Sequence, residues 1–204
     1  MSSLEVRALQ DLRKGSLYAI IASILSAIAA VIVFASLAVI LASLPFASSS
    51  STSPSAAQGS LFALIGPLIG VAILGIIAFV FTILSVVKLR SGFRGLEAVG
   101  KDVGGVTGTT LWIVGMILII IGIGAILAIV GLILIGLAVR RVGQIYNISD
   151  IRNGGILIAI GSVIPFLAFI GFILTYVGLG KLLNTMGPGG QPPSGPSQGV
   201  TPTQ

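Results

Sequence analysis

What most constrains this chain is where it carries no charge. No Asp, Glu, Lys or Arg falls between Gly15 and Val87, between Val103 and Val139, or between Asn153 and Gly180. A helix needs about 20 apolar residues to cross the roughly 30 Å hydrocarbon core of a bilayer, and each of these runs is longer than that. Inside hydrocarbon the backbone must satisfy its own hydrogen bonds, so a crossing is a helix or a strand of a closed barrel. Barrel strands alternate apolar and polar residues, and Ile117-Leu118-Ile119-Ile120-Ile121 does not. The runs therefore read as helices. Only 8% of the 204 residues are charged and 55% are hydrophobic, where a soluble domain carries about 25% charged residues.

Residues 1–15 read as an amphipathic segment. Ser2 and Glu5 have capping-box spacing, and Leu4, Ala8, Leu9 and Leu12 share one face. Such a segment binds a partner, lies on the membrane surface, or simply leads into the first span. Gly15-Ser16 breaks it, and spans follow at about 16–44 and 61–87. Between them lies a Ser-rich loop from Pro45 to Ser60. Lys88 to Gly108 is a charged connection in which Phe93–Val99 can form a short interfacial helix. The run from Thr109 to Val139 is long enough for one tilted helix or two short ones. The basic residues decide. Arg7, Arg13 and Lys14, then Lys88, Arg90, Arg94 and Lys101, then Arg140, Arg141 and Arg152 each flank a span, while the Ser-rich loop has none. If basic loops stay on the cytoplasmic side, the chain crosses twice between them. That predicts a hairpin with arms near 106–123 and 125–142, turning at Gly122-Ile123-Gly124. Asn153 to Gly180 reads as one span, about 154–180, kinked at Pro165. The Pro/Gly/Ser/Gln-rich segment 186–204 reads as a disordered tail.

Little here carries chemistry. The chain has no cysteine and no histidine, which excludes disulfides, thiol nucleophiles and Cys/His metal sites. No cofactor or metal is expected. Gly95-Leu96-Glu97-Ala98-Val99-Gly100-Lys101-Asp102 approaches a phosphate-binding loop, but Asp102 stands where Ser or Thr would ligate magnesium, and no strand precedes it. Asn147-Ile148-Ser149 is a glycosylation sequon lying among arginines. The net charge of +6 belongs to span-flanking residues; no loop offers the long basic surface that nucleic acid needs. The polar groups within the spans are hydroxyls, Ser23, Ser26, Ser36, Thr82, Ser85, Ser162, Thr175 and Tyr176, which bond to their own or a neighbouring helix. Coupled transport relies on ionisable groups there. Trp112, Phe93, Tyr146 and Tyr18 stand near span boundaries as interfacial anchors. Small residues recur as packing candidates: the pair Gly66 and Gly70 around Pro67, then Gly115, Gly122, Gly124, Gly131, Gly171 and Gly178. They serve tight packing within the chain or self-association. Ala22, Ser26, Ala30, Ala38 and Ala42 form a similar stripe on the first span. A weak echo, Leu12-Arg13-Lys14-Gly15, Leu89-Arg90-Ser91-Gly92 and Ile151-Arg152-Asn153-Gly154, does not by itself establish a repeat.

Several stretches carry a family resemblance. They are Leu12 to Leu17; Gly92-Phe93-Arg94-Gly95-Leu96 leading to Gly104-Gly105-Val106-Thr107-Gly108; Val142 to Asn147 followed by Gly154-Gly155-Ile156-Leu157; and Tyr176-Val177-Gly178-Leu179-Gly180. Together they resemble an archaeal multi-pass membrane family catalogued as domain of unknown function 973, over about residues 4–185 and without the tail. The resemblance implies an archaeal plasma membrane. It supplies no activity and no functional residues. In such families the 109–139 region looks like two spans joined by more residues than are present here.

The expected fold is all-α, a multi-pass transmembrane bundle of five spans with the N-terminus cytoplasmic and the tail outside. Four spans are the alternative, or six if Pro165 is a turn. The expected function is a non-enzymatic structural or assembly component of the membrane; a passive channel or small-solute permease is the alternative. The expected partners are the lipid bilayer, a second copy of the chain or other membrane proteins, and not nucleic acid. No residue is expected to be catalytic.

Overall fold

The computed structural model describes residues 2–43, 54–119 and 123–186, with side chains over 2–39, 66–119 and 123–186. All regular structure among them is helical: α1 (Ser3–Ser43), α2 (Pro54–Ala98), α3 (Gly105–Leu118), α4 (Gly124–Ile145), α5 (Ser149–Ile160) and α6 (Pro165–Thr185). Four of these, α1, α2, α4 and α6, are long and apolar enough to cross a membrane, and α3 is a shorter apolar fifth. The chain is a multi-pass helical bundle.

Each helix packs on its chain neighbours, and α6 packs back on α1, so the six form a closed ring. Neighbours run antiparallel. Gly15 of α1 lies against Leu89 of α2, and Gly92 of α2 against Leu12 of α1. The two apolar-Arg-x-Gly motifs thus meet head to tail, each leucine filling the space the other's glycine leaves. The same logic joins α3 to α4 (Gly115 on Ala128), α4 to α5 (Gly136 on Ala159) and α5 to α6 (Gly154 on Gly171). In lipid there is no hydrophobic force between helices, so close approach of backbones supplies the attraction. At the charged end water does drive burial. Leu9, between Arg7 and Asp11 in the chain, and Phe93, beside Arg94, are fully buried; each contributes about 1.5–3 kcal/mol.

Several expectations are corrected. Gly15-Ser16 does not break α1. Gly15 is used for close approach to Leu89, and Ser16 donates to the Leu12 carbonyl at 3.1 Å within the helix. The 1–15 segment leads without a break into the first span and is part of the core: Ala8, Leu9 and Leu12 are buried, and only Leu4 of the predicted face is exposed. α2 begins at Pro54, inside the expected Ser-rich loop, and continues to Ala98 through the expected connection. Proline is well placed in a first turn, where its missing N–H would be unpaired anyway. Residue 44 and residues 45–53 of that loop lie outside the described residues, as do residues 187–204 of the tail.

The hairpin expected in 109–139 is present: α3 ends at Leu118 and α4 begins at Gly124. The kinked span expected over 154–180 is instead two helices folded back on each other. Ile164 is extended, with φ −118° and ψ 93°, and Pro165 opens α6; proline excludes α conformation from the residue before it. Gly161, just before the bend, sits against Ala168 just after it. α5 is about 18 Å long, too short to cross, and it does not need to. α6 runs antiparallel to α1, with Tyr176 beside Arg13, so Thr185 ends on the side where Ser3 begins.

Candidate functional site

All the ion pairs among the described residues gather at one end of the ring. The most buried joins three elements. Glu5, in the first turn of α1, is 5% exposed. Its carboxylate accepts from Lys101 Nζ and from the Tyr146 hydroxyl, the latter at 2.6 Å. Lys101 also donates to the Tyr146 hydroxyl at 3.0 Å and lies 4.1 Å from its ring centroid. Local chain geometry sets both partners. In the turn after α2, Gly100 takes φ +81°, which lets the Lys101 N–H return to the Leu96 carbonyl at 3.0 Å. α4 ends the same way, with Asn147 at φ +53° and the Ile148 N–H on the Gly143 carbonyl at 2.9 Å. A left-handed residue after the helix, with a returning N–H, is a common helix stop. On α1, Ser2 Oγ accepts the Glu5 N–H at 3.3 Å. Half of the predicted capping box is therefore made, while the Glu5 side chain is committed elsewhere.

Burial alone would raise the Glu5 pKa. The hydrogen bonds from Lys101 and Tyr146, with the Lys101 charge, outweigh it and hold the carboxyl below its ordinary value. Tyr146 is pushed far above the ordinary phenol range, first by burial and then by its hydrogen bond to Glu5 and that group's charge. Asp11 is also lowered. Burial again opposes, and the hydrogen bonds from Ser91 and Lys88 prevail. A third pair joins Lys181 to Asp150 at 2.6 Å. All three ion pairs use lysine. Arg13 instead stacks 4.7 Å from the Tyr176 ring centroid. Its Nε and that of Arg90, the arginines of the paired motifs, are buried without a hydrogen-bond partner.

Above this polar end the ring axis is solid, then hollow. Leu12, Ser16, Leu89, Val139, Val142, Ile151, Thr175 and Leu179 close together and leave no water-sized space. Beyond them, among residues of α1, α2, α3, α4 and α6 and the α5–α6 bend, lies a cavity of about 800 Å³. Its walls include Ala19, Ala22, Thr82, Ser85, Trp112, Ile135, Ser162, Phe169 and Phe172.

The predicted packing residues divide. Gly115 and Gly124 lie at the α3–α4 contact, Gly131 against Trp112, Gly171 against Gly154 and Ile158, and Gly178 against Ile151. A Cβ on Gly66 or Gly70 would meet nothing within 4 Å among the described residues, so that pair faces away from them. Gly122 lies outside the described residues. On α1 the small stripe is buried at Ala22 and open at Ser26 and Ala30. Phe93 is core rather than an anchor. The near phosphate-binding loop is mostly α2, and its Gly95 lies against Ala8, leaving no cradle. Sequence reasoning missed the Glu5–Lys101–Tyr146 contact, whose members stand far apart in the chain and carry no local signal.

The architecture agrees with what the sequence resembles. The family described as Protein of unknown function (DUF973) matches residues 5–204. The chain belongs to this family. The match runs on through the Pro/Gly/Ser/Gln-rich segment, which the sequence resemblance had left out. No curated protein and no solved structure matches the chain. For this member of DUF973, function must be argued from its own geometry.

Proposed function

We propose that this protein is a non-enzymatic structural or assembly component of an archaeal plasma membrane, held with its N-terminus in the cytoplasm. The observation that carries the reading is an unaccompanied pair of helices. In their most apolar windows only 6% of α1 and 17% of α2 is buried, against 33% in α4 and 44% in α6. Val31, Phe34, Leu68, Ile69 and Ile76 are all exposed, and the open Gly66–Gly70 face lies on the same stretch. Helices in lipid associate through small residues that let backbones approach. This arm offers such a surface to a second copy or to another membrane protein. The gathering of Arg7, Lys14, Arg94 and Arg140 at the ring's charged end supports a cytoplasmic N-terminus. Glu5, Asp11 and Asp150 are engaged in ion pairs between elements, which commits these carboxylates to holding the ring together.

Cross-linking in native membranes tests the proposal. Discrete oligomers or one stable partner are expected. A solitary monomer under all conditions would sink it. A passive channel is the second reading, favoured by the axial cavity and opposed by its packed floor. Flux into liposomes across ions and neutral solutes separates the two, since an assembly component leaves the vesicles inert.

A further inference from the structure

We propose that the axial cavity is a binding site for one hydrocarbon chain of a membrane lipid, inserted methyl end first from the middle of the bilayer. The site stands independently of the assembly role.

Depth is the first argument. The exposed lining residues Ile24, Ile28 and Phe166 mark the mouth. Ile24 stands ten residues past Lys14, the last charge before the α1 apolar run. That is about 15 Å along a helix, roughly half the hydrocarbon thickness. The opposite end is sealed by the packed layer around Leu12, Val139 and Leu179. The cavity therefore opens to lipid tails and not to the aqueous side where the ion pairs lie.

The lining chemistry is the second argument. No charged side chain lines the cavity. Ser23 donates to the Ala19 carbonyl, Thr82 to Ala78, Ser85 to Gly15 and Ser162 to Ala159, all at 2.8–2.9 Å. A hydroxyl has a single proton to donate, so a polar ligand finds these donors already used. The remaining lining hydroxyl, Ser26, sits at the exposed mouth. Apart from the oxygen lone pairs of these hydroxyls and the Trp112 indole N–H, the inner wall is alkyl and aromatic carbon, a poor lodging for ordered water, which needs about 2–4 polar partners. The volume, about 800 Å³, is in the range of about 300–1,000 Å³ found for ligand pockets. A vacant apolar space forfeits the dispersion contacts of its walls, and the substance at its mouth is hydrocarbon.

Trp112 lines the cavity and is the chain's single tryptophan, so it reports on the occupant. The full chain is reconstituted in phosphatidylcholine vesicles whose acyl chains carry bromine near the methyl end, and Trp112 quenching is compared with unbrominated vesicles. Two variants narrow the site. Ala22→Phe fills it at a buried wall, and Ala27→Phe narrows the mouth at an exposed position that disturbs no packing. The expected result is strong quenching by methyl-end bromine, weaker quenching by bromine near the headgroup, and at least a twofold loss of quenching in either variant at unchanged helicity. If Ala22→Phe does not fold, Ala27→Phe carries the test alone. Folded variants quenched as strongly as the unmodified chain would overturn the proposal. So would stronger quenching from the headgroup end, or aqueous iodide quenching as strong as that of the brominated chains, which would mean a hydrated cavity.

Discussion

At the scale of residues, the Glu5–Lys101–Tyr146 contact is the most constrained polar feature of the molecule. It ties the first turn of α1 to the turn that follows α2 and to the residue after α4, joining the long helical pair to the rest of the ring. Breaking a buried ion pair on one side leaves a charge without compensation, at a cost of about 3–5 kcal/mol. Lys101→Ala should therefore lower stability by roughly 3 kcal/mol, read as an earlier loss of helicity in denaturing detergent. The pH dependence follows from the two shifts. Glu5 is lowered, so its contribution is complete above the unfolded value near ~4.3 and is lost as the pH falls through the folded one. Tyr146 is raised, so its contribution is complete below the unfolded value near ~10 and is lost as the pH rises beyond it. The contact should thus be strongest between about pH 5 and 9. In an absorbance titration, the difference between the unmodified chain and Tyr146→Phe should show no phenolate at pH ~10, where a free tyrosine is half ionised. Glu5→Gln removes a hydrogen-bonded negative charge and should move that ionisation back toward the ordinary range. An unchanged titration in Glu5→Gln would show that Glu5 does not act on the phenol.

At the scale of elements, the glycines separate helix contacts from open faces. A Cβ on Gly115 would stand 2.5 Å from the Ala128 nitrogen and 2.9 Å from the Gly124 carbonyl oxygen. Both are backbone atoms and cannot turn aside. Gly115→Ala should then cost about 1–3 kcal/mol, the usual range for overpacking. Gly70→Ala meets open space and should be neutral or slightly stabilising, because it restricts the unfolded chain. Equal effects at the two positions, measured in the same micelles, would show that α3 and α4 are not packed as described. The contrast also shows what could be read in advance. The α3–α4 hairpin was legible because Arg140 and Arg141 require an even number of crossings after Lys101. The α5–α6 bend was not, because a proline in an apolar run signals a kink and a turn alike; what decides is Gly161 on Ala168, a tertiary contact. The unbroken course of α2 through Lys88–Ala98 was hidden for another reason. Charged residues read as a loop unless their partners, here Asp11 for Lys88 and the core for Leu89, Phe93 and Leu96, are known. The apolar-Arg-x-Gly echo was visible, but its meaning required knowing that α1 and α2 run antiparallel.

At the scale of the whole molecule, the decisive quantity is the side on which each end of the ring lies. The ion pairs join Glu5 to Lys101, Asp11 to Lys88 and Asp150 to Lys181. These contacts place the start of α1, the end of α2, the α4–α5 turn and the end of α6 on one face of the membrane. A single kinked span over 154–180 would instead carry residue 185 to the opposite face. The chain has no native cysteine, so single cysteines report cleanly. Ser2→Cys, Asn147→Cys and Thr185→Cys should all react, or all stay silent, when a membrane-impermeant maleimide is added to sealed vesicles, and all three should react once the vesicles are opened. The three positions lie at exposed residues, so burial does not confound the outcome. Reaction at Thr185→Cys alone in sealed vesicles would restore the kinked span and open the ring. Reaction at Asn147→Cys without Ser2→Cys would remove the α3–α4 hairpin, and with it the wall of the axial cavity that Trp112, Leu132 and Ile135 provide.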